Sequence, residues 1–435
     1  MSRPTPGPGG RSGFAGAGAP EGSPPAHVLV VGGTDVEKRL ELVEGLSGEF
    51  RVTVAGPVPG HRAVYEEAGV DFVDYPLRRG FSPLADVRTL VSVFRLVRRL
   101  RPDVVHAFAT KPAVWARIAA RLAGAPAIVG TLPGRGSLFW ASGPRVRVLR
   151  AAYRALQRVA SRCSDLTFFY NESDAETLVG SGVVPREQAA VVPGSGVPTD
   201  VFDPERVSAS TRHRLRGELG AGPDDVVVTM VGRVIRTKGV LEFAGAARRL
   251  AREGVPARLV LVGPDDPRSV DRLEEDERRR VEESVLWLGE RSDVRDLLGA
   301  SDVFVLPSYG EGIPRAVMEA ASLGLPVVAT RVPGCRDVVE DGTSGLLVPA
   351  HDVEALTDAV RSLVEDAGLR SRLGDEARRT ALDRFDTGVI VNQIAAHYRR
   401  LTGRTAPDGV SFGEPARDTS RIDRIHLPSQ GSRSS

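Results

Sequence analysis

The chain has 435 residues, more than one ordinary core accommodates, which points to two domains. Hydrophobic residues make up 41%, enough for a sizeable core, and the formal net charge of +2 gives no bias toward nucleic acid. Only Cys163 and Cys335 are present, too few for a disulfide framework or a cysteine metal cage and consistent with a reducing cytosol. The first 26 residues are rich in Pro, Gly, Ala and Ser without an apolar h-region, so they read as a disordered tail and not a secretory signal. No apolar run approaches the roughly 20 residues of a membrane span. From His27 short apolar strands alternate with amphipathic helices, the pattern of βαβ units. Strands are expected at Val28–Val31, Val52–Ala55, Asp71–Tyr75, Asp103–Ala107, Ala127–Gly130 and Leu166–Phe169. Pro193–Pro204 breaks the pattern as an interdomain hinge. A second series follows at Val226–Val231, Arg258–Val262, Val285–Leu288, Val303–Leu306 and Pro326–Ala329, with helices at Gly239–Arg252 and Pro314–Leu323. From about Arg404 the chain is again polar and aperiodic.

In open α/β sheets ligands bind beyond the carboxyl ends of strands, so the loops there carry the chemistry. Glu311 follows one such strand among glycines and precedes a helix with Pro314 suited to its first turn; Glu319 lies two turns along that helix. Backbone N–H groups at a helix start suit a diphosphate, and carboxylates suit sugar hydroxyls. The plain alternative is a helix cap and a solvated acid. After Val226–Val231, Gly232 permits close backbone approach, and Arg233 and Lys238 supply a planar fork and a point charge for phosphate oxygens. Their plain alternative is a pair of surface cations. His106 and Lys111 follow a first-half strand and are candidates to border an acceptor, against the alternatives of a buried His and a solvated Lys. Residues 135–162 hold seven Arg (135, 145, 147, 150, 154, 158, 162) and no acid, interleaved with apolar residues including Phe139 and Trp140. That pattern reads as a basic amphipathic helix for a membrane surface, or as a core helix with a basic outer face.

Gly232-Arg233, Lys238-Gly239 and the acids Glu311 and Glu319 together resemble the family 4 retaining glycosyltransferases of the GT-B fold. The likeness covers about 30–400, and Gly324–Thr330 and Asp341–Pro349 extend it. Gly312–Arg315, Pro333–Arg336, His106–Pro112 and Thr131–Ser137 resemble enzymes that build surface polysaccharide on an undecaprenyl-diphosphate-linked sugar. The resemblance implies two Rossmann-like βα domains facing across a cleft. It implies that Arg233 and Lys238 hold the donor diphosphate, Glu311 the transferred sugar and Glu319 the ribose. Gly312 and Ile313 would offer N–H groups to the distal phosphate, Arg291 would sit in the loop bordering the base, and Gly32 and Gly33 would admit acceptor or diphosphate at the first strand end.

Two departures stand out: no His follows the strand Ala127–Gly130, and Pro198 replaces the Asp that often follows Gly196-Val197 in the hinge. Neither a catalytic His in that loop nor Asp200 is therefore expected to act. The implied reaction is same-face substitution assisted by the leaving phosphate, with no cofactor or metal, since Arg233, Lys238 and the helix end supply positive charge. The expected division is a tail at 1–26, an acceptor domain at 27–195, a donor domain at 196–385, a helix at 386–403 that is a candidate for crossing back, and a tail at 404–435. Expected partners are a nucleotide-sugar, UDP-sugars first, a lipid-linked saccharide, and the inner face of the cytoplasmic membrane through Arg135–Arg162. Alternatives are a soluble small-molecule acceptor, a nucleotide-sugar epimerase of the same shape, or a dinucleotide oxidoreductase. The last is disfavoured because Val31–Asp35 lacks the three-glycine spacing.

Overall fold

The structure, a computed structural model, describes residues 24–78, 82–134 and 144–404. The expected tails fall outside these residues, apart from 24–26 and Arg404. Ala26 is already buried, and Arg404 donates to the Pro24 carbonyl at 2.6 Å.

Two parallel sheets carry the molecule. The first holds β1 His27–Val31, β2 Arg51–Gly56, β3 Asp71–Asp74, β4 Val104–Phe108, β5 Ala127–Leu132, β6 Leu166–Phe169 and β7 Ala189–Val191, in the order β3-β2-β1-β4-β5-β6-β7. The second holds β8 Val226–Val231, β9 Ala257–Val262, β10 Leu286–Trp287, β11 Val303–Leu306, β12 Val327–Thr330 and β13 Gly345–Val348, in the order β10-β9-β8-β11-β12-β13. Helices cover both faces, so strands such as β1 (HVLVV) and β11 (VFVL) are buried at every position and read as continuous apolar runs. The strands β7 and β13 were not foreseen. Each has only three or four residues, and β13 follows a turn with Gly342 at φ 76°.

In each sheet the order reverses at its first strand, β1 lying between β2 and β4 and β8 between β9 and β11. Such a switch point opens a crevice beyond the strand ends. The loops after β1, β4, β8 and β11 therefore share the cleft side of the two sheets. The chain passes between the halves twice, and the two passages are stitched: Val197 N–H donates to Phe385 O at 2.8 Å, and Thr387 N–H to Val197 O at 3.0 Å. The helix Thr387–Thr402 then lies on the first sheet, where Ile390, Val391, Ile394 and Tyr398 join Val28, Val30 and Leu42 in one apolar cluster.

Candidate active site

A cavity of about 330 Å³ lies between the strand ends, lined from the second half by Arg233, Thr237, Lys238, Tyr309 and Glu311 and from the first by Pro133 and Asp174, among others. Lys238 and Glu311 meet there, Nζ donating to Oε1 at 2.6 Å. Lys238 ends a short 3₁₀ turn, Arg236–Lys238, which Gly239 closes at φ 75°. A Cβ on Gly239 would stand 2.1 Å from the Pro307 carbonyl oxygen, so only glycine lets this turn press against the end of β11. Arg233 is paired with Asp266 at 2.8 Å. Both cations thus hold a carboxylate. Gly312 and Ile313 precede the helix Arg315–Ser322, whose N-cap is Pro314 and not, as expected, a first-turn position. Neither their N–H groups nor that of Glu311 forms a hydrogen bond within the described residues. Gly312 is also where the halves touch, since a Cβ there would lie 1.6 Å from the Pro133 carbonyl oxygen.

Glu319 does not line this cavity. Its Oε1 accepts from Arg315 Nε at 2.9 Å, and the same guanidinium crosses to the first half, reaching Glu41 Oε1 at 3.0 Å and the Lys38 carbonyl at 3.3 Å. Burial pushes the Glu319 carboxyl above the usual carboxylate range, and Arg315 pulls it partly back. Arg291 also stands apart: its guanidinium is gripped bidentately by Asp293, both bonds at 2.8 Å, and by Glu218 at 2.8 Å. Those three bonds turn its side chain toward the helix Ala209–Glu218.

On the first sheet, Gly32 and Gly33 are buried at the end of β1, Gly32 donating to Ala55 O at 2.9 Å and accepting from Tyr75 OH at 2.5 Å. His106 is a correction. It is fully buried, with Nδ1 at 2.5 Å from Tyr398 OH and Nε2 at 2.6 Å from Thr131 Oγ1, and it faces core instead of cleft. Burial drives its pKa well down, so it is neutral, and it ties the returning helix to β4 and β5. Lys111 spends its charge inward on Asp86 Oδ1 at 2.5 Å and the Arg78 carbonyl at 2.8 Å.

Sequence reasoning missed Tyr309, Thr237, Arg315 and the segment after β9 that brings Ser269 and Asp271 to the cavity. It also missed Asn171 and Asp174, although their strand, β6, had been foreseen and the strand-end rule applies there. The basic stretch is partly described: 135–143 lies outside the described residues, and the helix runs Pro144–Arg162. Arg147 and Arg162 are exposed, whereas Arg158 is bound to the Ser181 and Gly182 carbonyls, both at 2.9 Å. Val148, Leu149 and Val159 are exposed at 69%, 46% and 48%, so the outward strip is more apolar and less basic than the composition implied. Among the described residues no helix is long and apolar enough to cross a membrane.

Residues 225–366 match the model of the glycosyl transferases group 1, and residues 37–194 that of the glycosyl transferase 4-like domain. The chain is 31% identical over 412 residues to a 2-deoxystreptamine N-acetyl-D-glucosaminyltransferase of Streptomyces fradiae, covering 89% of this chain and 95% of that one. It is 29% identical over 347 residues to a UDP-Gal:alpha-D-GlcNAc-diphosphoundecaprenol alpha-1,3-galactosyltransferase of Escherichia coli, covering 77% and 87%. A solved glycosyltransferase from Rickettsia africae superposes with a TM-score of 0.74 at 16% identity, over 87% of this chain and 98% of that one. The two-sheet architecture is the GT-B fold of those structures.

Proposed function

We propose, from the premise that this chain belongs to the group 1 glycosyltransferases with a 4-like N-terminal domain, that it moves a sugar with retention from a UDP-sugar to a hydroxyl of a polyprenyl-diphosphate-linked saccharide in surface-polysaccharide synthesis. The observation that carries this reading is the Lys238–Glu311 pair in the cavity, beside Arg233 and the unbonded N–H groups of Gly312 and Ile313. The donor diphosphate takes Arg233 and Lys238 in charge-assisted bonds, approaching over Gly232, and displaces Asp266. Freed in the same exchange, Glu311 accepts from hydroxyls of the transferred sugar, whereas Glu319 stays outside the cavity on Arg315.

The bond from the anomeric carbon to the phosphate oxygen breaks, and its electron pair stays on that oxygen. The acceptor hydroxyl attacks from the same face, its oxygen bonding to the anomeric carbon and its proton passing to the departing phosphate. Lys238 and the Gly312 and Ile313 N–H groups oppose the negative charge that grows there. The lipid-linked acceptor is suggested by the Escherichia coli relative. The Streptomyces relative favours a second reading, transfer to a soluble small molecule. A panel of labelled nucleotide-sugars incubated with membrane-lipid extract separates them. Label is expected in the lipid fraction; label in water-soluble product instead rejects the first reading.

The helices Pro83–Leu100 and Pro144–Arg162 both begin on the cleft side of the first sheet, and near their starts Leu84, Val87, Val148 and Leu149 are exposed. With Arg147 they form the membrane face of this reading, at the inner surface of the cytoplasmic membrane. Such a face binds by apolar insertion helped by charge, about 1 kcal/mol per basic residue. Sedimentation with anionic liposomes is therefore expected, weakened but not abolished by high salt. No binding to anionic or neutral liposomes removes the membrane from the reading.

A further inference from the structure

Among the described residues, Asp174 is the one carboxylate that the first half contributes to the lining of the cavity, opposite Lys238 and Glu311. It sits in the first turn of the helix Glu172–Gly180, which follows β6. The capping of that helix is done by Asn171, whose Oδ1 accepts from Asp174 N–H at 2.8 Å. Asn171 Nδ2 donates to Asp174 Oδ2 at 3.1 Å and to the Gly312 carbonyl at 2.7 Å. One amide therefore fixes the Asp174 carboxylate and ties it across the cleft to the residue after Glu311. A Cβ on Gly134 would lie 3.1 Å from Gly312 Cα and 3.8 Å from Asp174 Oδ2, so the carboxylate flanks the point where the halves meet. Only 3% of Asp174 is exposed, and its position is set from two sides.

We infer that Asp174 is an acceptor-positioning residue: its carboxylate accepts a hydrogen bond from the acceptor sugar and so aims the attacking hydroxyl at the anomeric carbon. This rests on the glycosyltransferase reading above and deepens it. The wall matters here. Glu311 and Lys238 belong to the half that holds the donor, whereas Asp174 faces them from the half that presents the acceptor. In the transfer, the attacking oxygen bonds to the anomeric carbon and its proton goes to the leaving phosphate. Asp174 takes no proton, and its part is orientation, where an error near 1 Å costs on the order of 100-fold.

The substitution Asp174→Asn keeps an oxygen for Asn171 Nδ2 and removes the charge, so the tie to Gly312 is retained. Expected is a fall on the order of 100-fold in kcat/KM for acceptor, with UDP affinity and the slow transfer of sugar to water within about threefold of wild type. Asp174→Glu retains the charge at a longer reach and is expected to recover part of the loss; it also serves as the folded variant should Asp174→Asn lose its thermal transition. Acceptor kcat/KM near wild type in either folded variant overturns the inference. So does a matched loss of UDP-sugar affinity and hydrolysis, which would move Asp174 to the donor side. Should the wild-type panel place label in water-soluble product, the lipid-linked reading fails and the same three measurements are made with that soluble acceptor.

Discussion

Two lysines, one on each rim of the cleft, are paired in nearly the same way. Lys238 reaches Glu311 at 2.6 Å and Lys111 reaches Asp86 at 2.5 Å, each lysine side chain 24% exposed. By distance and burial they are equivalent, yet they stand to the cavity differently. Lys238 and Glu311 both line it, so the pair is open to a ligand in the cavity. Asp86 is buried inside the helix Pro83–Leu100, and Lys111 also satisfies the Arg78 carbonyl, so that pair closes a loop. An ion pair reports chemistry only when its partner atoms face open volume. His106 repeats the lesson away from the cleft, bonding Tyr398 and Thr131 in the core, where burial keeps it neutral.

The largest effect should come from breaking the donor-side pair. In the proposed reaction Lys238→Ala removes one charged donor to the leaving phosphate, and such losses cost about 10²–10³ in kcat. Lys238 lies in a loop and Glu311 retains some solvent, so thermal stability should stay close to wild type. Wild-type turnover in this folded variant would remove Lys238 from the donor site. Lys111→Ala should do the reverse. It leaves the buried Asp86 carboxylate without its cation, a loss of about 2 kcal/mol after discounting for the exposed quarter of the lysine, with UDP affinity and acceptor KM unchanged. A rise in acceptor KM without a fall in Tm would put Lys111 back among the acceptor contacts.

The same distinction explains what the sequence disclosed. Strands such as β1 and β8 were legible because parallel strands buried on both faces are continuous apolar runs. The second-half rim of the cavity was legible because Arg233 and Lys238 are close neighbours in the chain and Glu311 follows a strand among glycines. The first-half rim is assembled from loops after β4, β5 and β6, each giving one or two residues with no local signature. Asn171 and Asp174 carry no sequence signal beyond that of a helix start, and the bond from Asn171 to Gly312, 141 positions away, marks them. Arg291 shows the opposite case. It lies in the segment that the family pattern assigns to the base, but Asp293 and Glu218 saturate it, and Glu218 is 73 positions earlier.

Arg315 joins the two rims, and its loss should be the smallest of these effects and the one most dependent on pH. It neutralises Glu319 and reaches Glu41 across the cleft. Because burial raises the Glu319 pKa, the folded protein binds a proton there at a higher pH than the unfolded chain does. Stability contributed by this site therefore falls as pH rises from the ordinary glutamate value through the raised one. Arg315 offsets part of that fall by favouring the carboxylate. Arg315→Ala leaves the charge buried without its neighbour, which should cost about 1–2 kcal/mol at pH 8, below the usual loss for a buried pair since a third of Arg315 is exposed. At pH 5 Glu319 is closer to neutral and the deficit should shrink. Thermal unfolding at the two pH values measures both. An equal Tm deficit at pH 5 and pH 8 would mean that the bridge to Glu41 carries the effect, making Arg315 a tie between the halves and not the counter-ion that lets Glu319 stay charged.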